Sequence, residues 1–122
     1  MAAPNIVGVT TIYGKSSGLA LTTSNQTLVS NSAGSGKVFK VNTVMISNVD
    51  GANDATVTAQ VYKASTGTAY KLAHVVSVEA ASTLVLMSKD NSIYLEEGDY
   101  IQALASATGD LHAVCSWEEI ND

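Results

Sequence analysis

Apolar and polar positions alternate along most of the chain. In Ala55-Thr56-Val57-Thr58-Ala59-Gln60-Val61-Tyr62, the Ala and Val positions alternate with Thr, Thr, Gln and Tyr. A period of two sends one set inward and the other outward along a strand. Ile101, Ala103 and Ala105 share one face of the stretch Asp99 to Ala105. Leu111, Ala113, Cys115 and Trp117 form the inward set of the stretch Leu111 to Trp117. Lys37 to Val49 is apolar on both faces (Phe39, Val41 and Met45; Val44 and Ile46), which predicts a central strand. Tyr70 to Val78, Thr83 to Met87 and Ile93 to Leu95 also read as strands. No long helix is predicted, because Thr, Ser, Val and Ala dominate and β-branched residues favour strands.

Turn signals separate these runs. Asp50-Gly51 is a strong hairpin or loop dipeptide, and Ser65 to Thr68, Lys89 to Ser92, Glu96 to Asp99 and Thr108 to Asp110 follow it. Short strands at this rhythm predict an all-β fold, an antiparallel β-sandwich of jelly-roll type. The first 36 residues read differently. Asn5 to Tyr13 is a strand candidate, Gly14-Lys15-Ser16-Ser17-Gly18 reads as a break, and Leu19 to Thr22 and Gln26 to Val29 are short strands. Asn31 to Gly36 has the composition of a flexible loop. The expected organisation is an extended N-terminal arm with an edge hairpin over 1–36 and a sandwich domain over 37–122. The arm's apolar positions need cover, from the chain's own sheet or from a neighbour by strand addition. Ile6, Val7, Val9, Ile12, Tyr13 and Lys15 are the candidate interface residues.

Composition narrows the function classes. The chain has 122 residues, enough for one domain, and is 46% hydrophobic and only 14% charged. All six basic residues are Lys and the net charge is −5, which argues against nucleic-acid binding, where Arg and a basic face do the work. The charge is uneven: residues 1–49 carry +3 and residues 50–122 carry −8. That split suggests an attaching front and a solvent-facing body. The opening Met1 to Asn5 has no basic n-region, so no signal peptide is expected. No apolar run approaches a membrane span.

No motif compels chemistry. Gly34-Ser35-Gly36-Lys37 lacks the leading Gly and the trailing Ser or Thr of a phosphate loop, and a strand follows instead of a helix. Asp50-Gly51-Ala52-Asn53-Asp54 lacks the closing Glu of a calcium loop and reads as an Asx-rich turn. Glu96-Glu97-Gly98-Asp99 reads as a solvated strand connection. His74 and His112 have no second ligand at metal-site spacing, and nothing singles out a nucleophilic Ser. Cys115 beside Trp117 reads as a buried, inert thiol. Tyr62 and Tyr70 flank a turn and read as cross-strand packing. Asn25-Gln26-Thr27 is a formal glycosylation sequon. The chain is expected to be non-enzymatic, with no catalytic, metal or cofactor site.

Several segments together carry a family resemblance. They are Pro4 to Ile12, Ala20-Leu21-Thr22-Thr23, Lys40 to Gly51, Val57 to Tyr62, Ser92 to Asp99, and the closing Ser116-Trp117-Glu118-Glu119-Ile120. With these the chain resembles the small virion structural proteins of tailed bacteriophages, of marine and cyanobacterial type, over nearly its whole length. Trp117 stands where that family typically has Tyr. The resemblance implies a β-sandwich within an assembled particle and localisation to the virion. It implies a capsid decoration (cement) protein first. A neck, tail or fibre accessory comes second, and a receptor- or glycan-binding module is the reading from a different class. Its implied partners are the major capsid protein, other virion proteins and further copies of itself, with a trimer favoured.

Overall fold

The computed structural model describes residues 7–8 and 11–121. Nine strands form in order: β1 (Thr11–Ala20), β2 (Gln26–Ser30), β3 (Lys37–Asn48), β4 (Ala55–Lys63), β5 (Thr68–Val78), β6 (Thr83–Met87), β7 (Ile93–Leu95), β8 (Tyr100–Ala105) and β9 (Leu111–Asn121). A single 3-10 turn, Lys89–Asn91, separates β6 from β7. Two antiparallel sheets pack face to face. Sheet A runs β1-β9-β3-β6, with β7 also on β3, and sheet B runs β2-β8-β4-β5. The pairings nest: β1 with β9, β2 with β8, β3 with β6 and β7, β4 with β5. One long hairpin rolled onto itself gives this order, so the sandwich is a jelly roll.

The alternation of the sequence is realised almost residue by residue in sheet B. Ala55, Val57, Ala59 and Val61 of β4 and Ile101, Ala103 and Ala105 of β8 are buried, and the residues between them are half-buried. Leu111, Ala113 and Cys115 of β9 face the same core. β3 departs from strict alternation. Val41 pairs with Trp117 and Thr43 with Ser116, so Asn42 is an extra residue, a bulge. The bulge exchanges the faces. The core takes Phe39 and Val41 before it and Val44 and Ile46 after it, while Met45 turns to the outer side.

The N-terminal expectations need correction. Gly14 to Gly18 does not break the chain: β1 runs through all five residues in one unbroken register with β9, from Thr11 opposite Asn121 to Ala20 opposite His112. Neither glycine takes a left-handed φ, and full-length pairing outweighs their weak strand propensity. The edge hairpin does not form either. β1 and β2 are edge strands of opposite sheets. Nor is Asn31 to Gly36 a flexible loop. Asn31 is fully buried and donates from Nδ2 to Lys37 O (2.9 Å) and Leu95 O (3.0 Å), and its Oδ1 accepts from Ser35 Oγ (2.5 Å). A second buried residue, Asn48, does the same elsewhere, donating to Asn53 O (3.0 Å) and Val78 O (2.9 Å).

Candidate assembly surface

Ile12, Tyr13 and Lys15 come together on β1, at the edge of sheet A. Ile12 and Tyr13 are 56% and 57% exposed. Val7 is exposed, and Ile6 and Val9 lie outside the described residues. Among the described residues β1 has one strand neighbour, so its other side presents a ten-residue row of edge groups. The outward-facing residues of β1 are Ile12, Gly14, Ser16, Gly18 and Ala20, small apart from Ile12.

The outer side of sheet A continues this surface. Gly18, Val114, Met45 and Val85 are successive cross-strand neighbours on β1, β9, β3 and β6. Val114 and Val85 are 41% and 56% exposed, which makes an apolar row open to solvent. Ser16, Ser116 and Thr43 form an uncharged row beside it. Lys40 lies opposite Glu118 and Tyr94, the one charged pair across this part of the face.

Glu119 anchors the start of β1. Its side chain is buried on the inner side of sheet A, where Trp117 also lies. It accepts from Trp117 Nε1 (3.2 Å) and meets Lys15 Nζ of β1 (3.3 Å) and Lys37 Nζ of β3 (3.4 Å). Burial pushes the Glu119 carboxyl up. The hydrogen bond from Trp117, the contact and charge of Lys15, and the hydrogen bond from Lys37 outweigh that and hold it below the ordinary value. Phe39 stacks on Trp117 with centroids 6.4 Å apart.

The charge split of the sequence does not become a split in space. Lys15 and Lys37 pair with Glu119, and Lys40 stands opposite Glu118. The nested antiparallel order sets β1 and β3 on either side of β9, which interleaves the basic front with the acidic back. The expected attaching front and solvent-facing body are replaced by a neutralised seam.

The other candidates fall to structural roles. Asp99 is not a solvated turn residue. It is 1% exposed, accepts from Ala64 N and Glu96 N (2.9 Å each), and pairs with Lys63. Asp50 forms the expected Asx turn, accepting at Oδ1 from Ala52 N (2.9 Å). That bond, ahead of the one from Asn53, lowers its pKa. His74 and His112 are exposed strand residues. Cys115 is buried, and burial pushes its thiol up to about 12. Tyr62 stacks on Tyr100 at 4.7 Å, while its expected neighbour Tyr70 lies opposite Val61. Sequence reasoning missed Glu119 and Asp99. The signal that could have found them is a carboxylate at the parity of an inward strand face (Trp117 to Glu119) or closing a Gly turn (Gly98 to Asp99).

No protein-family model and no curated protein matches the chain. Several solved structures share its fold, two of them over about nine-tenths of this chain. One belongs to Bacillus endospore appendages described as a family of disulfide-linked pili, with a TM-score of 0.51, 17% identity, and 91% of this chain and 88% of that chain covered. The other is the Drosophila NLP core, described in terms of pentamer formation and histone binding, with a TM-score of 0.50, 13% identity, and 90% and 99% covered. At such identities the likeness is one of fold alone.

Proposed function

We propose that the chain is a non-enzymatic structural subunit of a tailed-phage particle, a decoration protein that binds and stabilises the head shell through contacts with the major capsid protein. The observation that carries this reading is the largely uncharged outer side of sheet A. A β1 of small outward residues, the Val114–Met45–Val85 row with its two valines exposed, and the uncharged Ser16–Ser116–Thr43 row form one apolar-to-neutral area. Contiguous surfaces of this kind serve protein–protein contact. The sequence resemblance supplies the class of particle. The two fold neighbours are associated with pili and with pentamer formation, which supports assembly as a use to which this sandwich is put.

The test is a reconstruction of purified virions from the phage that encodes the chain, with mass spectrometry of the same particles. The expected result is density for the sandwich on the head lattice in symmetric copy number. Density at the neck or tail replaces decoration with an accessory role. Absence of the protein from purified particles ends the reading. Its surface half is tested by Val114→Glu with Val85→Glu, which is expected to abolish binding of the purified chain to heads lacking it while leaving its fold intact.

A further inference from the structure

The jelly roll has four sheet edges, and three of them are blunted. β2 is five residues long and carries a register shift at Leu28. β5 has two irregularities against β4. The first sets two residues, His74 and Val75, against the single Thr58 of β4, with Val75 at φ +50. The far edge of sheet A is split into β6 and β7 by the Lys89–Asn91 turn. Bulges, short strands and interruptions are the devices that keep sheet edges from pairing. β1 has none of them. It runs ten residues in constant register, has no Pro, and carries one charge, Lys15. A Lys at an edge ordinarily guards it. Here the amine leans to Glu119, 3.3 Å away on the inner side, and is half covered, which weakens the guard.

We propose that the β1 edge pairs with the β1 edge of a second copy, antiparallel across a two-fold axis at Ser16, joining two copies of sheet A into one continuous sheet. Residues directly opposite in an antiparallel pair share a face, so a two-fold axis perpendicular to the sheet must pass through a residue and its own copy. Centring on Lys15 sets two ammonium groups directly opposite, which is unfavourable. Centring on Ser16 sets Gly14 opposite Gly18 and Ile12 opposite Ala20 on the outer side. On the inner side it sets Tyr13 opposite Leu19 and Lys15 opposite Ser17. Each bulky residue then meets a smaller or apolar one, and Ile12 and Tyr13, both more than half exposed, gain cover. The closed unit is a dimer, in place of the trimer that the family resemblance implies. It stands apart from the particle reading: a monomer in solution leaves head binding open, and absence from virions leaves the pairing untouched.

The full chain in sedimentation velocity at about 100 µM is expected to show twice the monomer mass. Ser16 is exposed on the outer side, so its variants should fold normally. Ser16→Lys and Ser16→Glu, each setting like charges opposite across the axis, should each sediment as a monomer, and a mixture of the two should return to the dimer. Ser16→Cys should close a disulfide between copies under mild oxidation, since the facing Cα atoms would lie about 4.5–5.5 Å apart. Cys115, buried with its thiol pushed up to about 12, does not compete. A monomeric wild-type chain overturns the proposal. So do a dimer that survives Ser16→Lys, and a chain that dimerises only after residues 1–10 are removed, which would mean that its own segment covers the edge.

Discussion

Lys15 Nζ and Glu119 Oε2 lie 3.3 Å apart across the β1–β9 pair, and Lys37 closes on the other Glu119 oxygen from β3 at 3.4 Å. One buried carboxylate thus ties three adjacent strands at the end of the sheet where β1 begins. The Trp117 indole N–H supplies a further donor at 3.2 Å, so burial is matched by hydrogen bonds. The arrangement fastens the edge strand and also neutralises part of the Lys15 charge beside the open edge.

Glu119→Gln should destabilise the fold by about 1–3 kcal/mol at pH 7: Lys15 and Lys37 are partly exposed and can rehydrate, but Trp117 and Lys37 bond different carboxylate oxygens and the single Gln oxygen can serve only one of them. The sign of the pH dependence follows from the lowered pKa. The folded state binds this proton less tightly than the unfolded chain. The contribution is therefore fully present above the unfolded Glu value, about 4.3, and is lost as the pH falls through the lower folded value. Urea unfolding of wild type and Glu119→Gln at pH 7, 4 and 3 should show a gap that narrows on acidification. A gap that stays constant or widens would rule out the carboxylate as its source.

Gly98→Ala and Gly109→Ala should differ although both glycines have φ near +88°, at +88 and +87. A Cβ at Gly109 meets nothing, so it incurs backbone strain alone, about 1 kcal/mol. A Cβ at Gly98 would stand 2.9 Å from Ala64 Cβ, and the turn that holds Asp99 against Lys63 and Ala64 N would have to shift. A loss of about 2–4 kcal/mol is expected there. Adding Ala64→Gly should recover the steric part only. Equal melting temperatures for the two single variants would contradict this.

The alternation in β4, β8 and β9 made the sandwich legible in the sequence, because each strand has one face in the core and one towards solvent. Three features escaped it for physical reasons. The Asn42 bulge reverses β3's faces, and no residue type marks it, since Val41 and Thr43 read as ordinary strand residues. Gly14 to Gly18 has the composition of a turn, and only its partner β9, about 100 residues away in sequence, makes it a strand. Asp99 reads as a solvated turn acid until Lys63 is brought to it across sheet B. In each case a contact distant in sequence overrides the local pattern.

Asn42 is the extra residue of β3, so its removal and its substitution should both be tolerated. Deleting it leaves Val41 opposite Trp117 and Thr43 opposite Ser116, which restores plain alternation along β3. Phe39, Val41, Val44 and Ile46 all keep the core face. The deletion variant is expected to keep a cooperative thermal transition. Asn42→Ala keeps the bulge and removes a buried Oδ1 without a hydrogen-bond partner, so it should be within about 1 kcal/mol of wild type. A deletion variant without a cooperative transition would show that the local bend at Asn42, and not the pairing register alone, is needed by the sheet.

Cys115 sits on the core face of β9 opposite Val44 and Ser17, and burial pushes its thiol up to about 12. At pH 8 the thiolate fraction is then about one in ten thousand, and the sulfur is also shielded from any reagent in solution. An aromatic disulfide reagent should label the native chain only through opening of the sheet. Labelling should therefore be slow, independent of reagent concentration once reagent is in excess, and matched to the unfolding rate measured by fluorescence of Trp117. In about 6 M guanidinium one thiol per chain should react within seconds. Rapid stoichiometric labelling of the native protein would mean that the β1 side of the sandwich opens on its own. The stability of β1 would then rest on its outer partner more than on the Lys15–Glu119 tie.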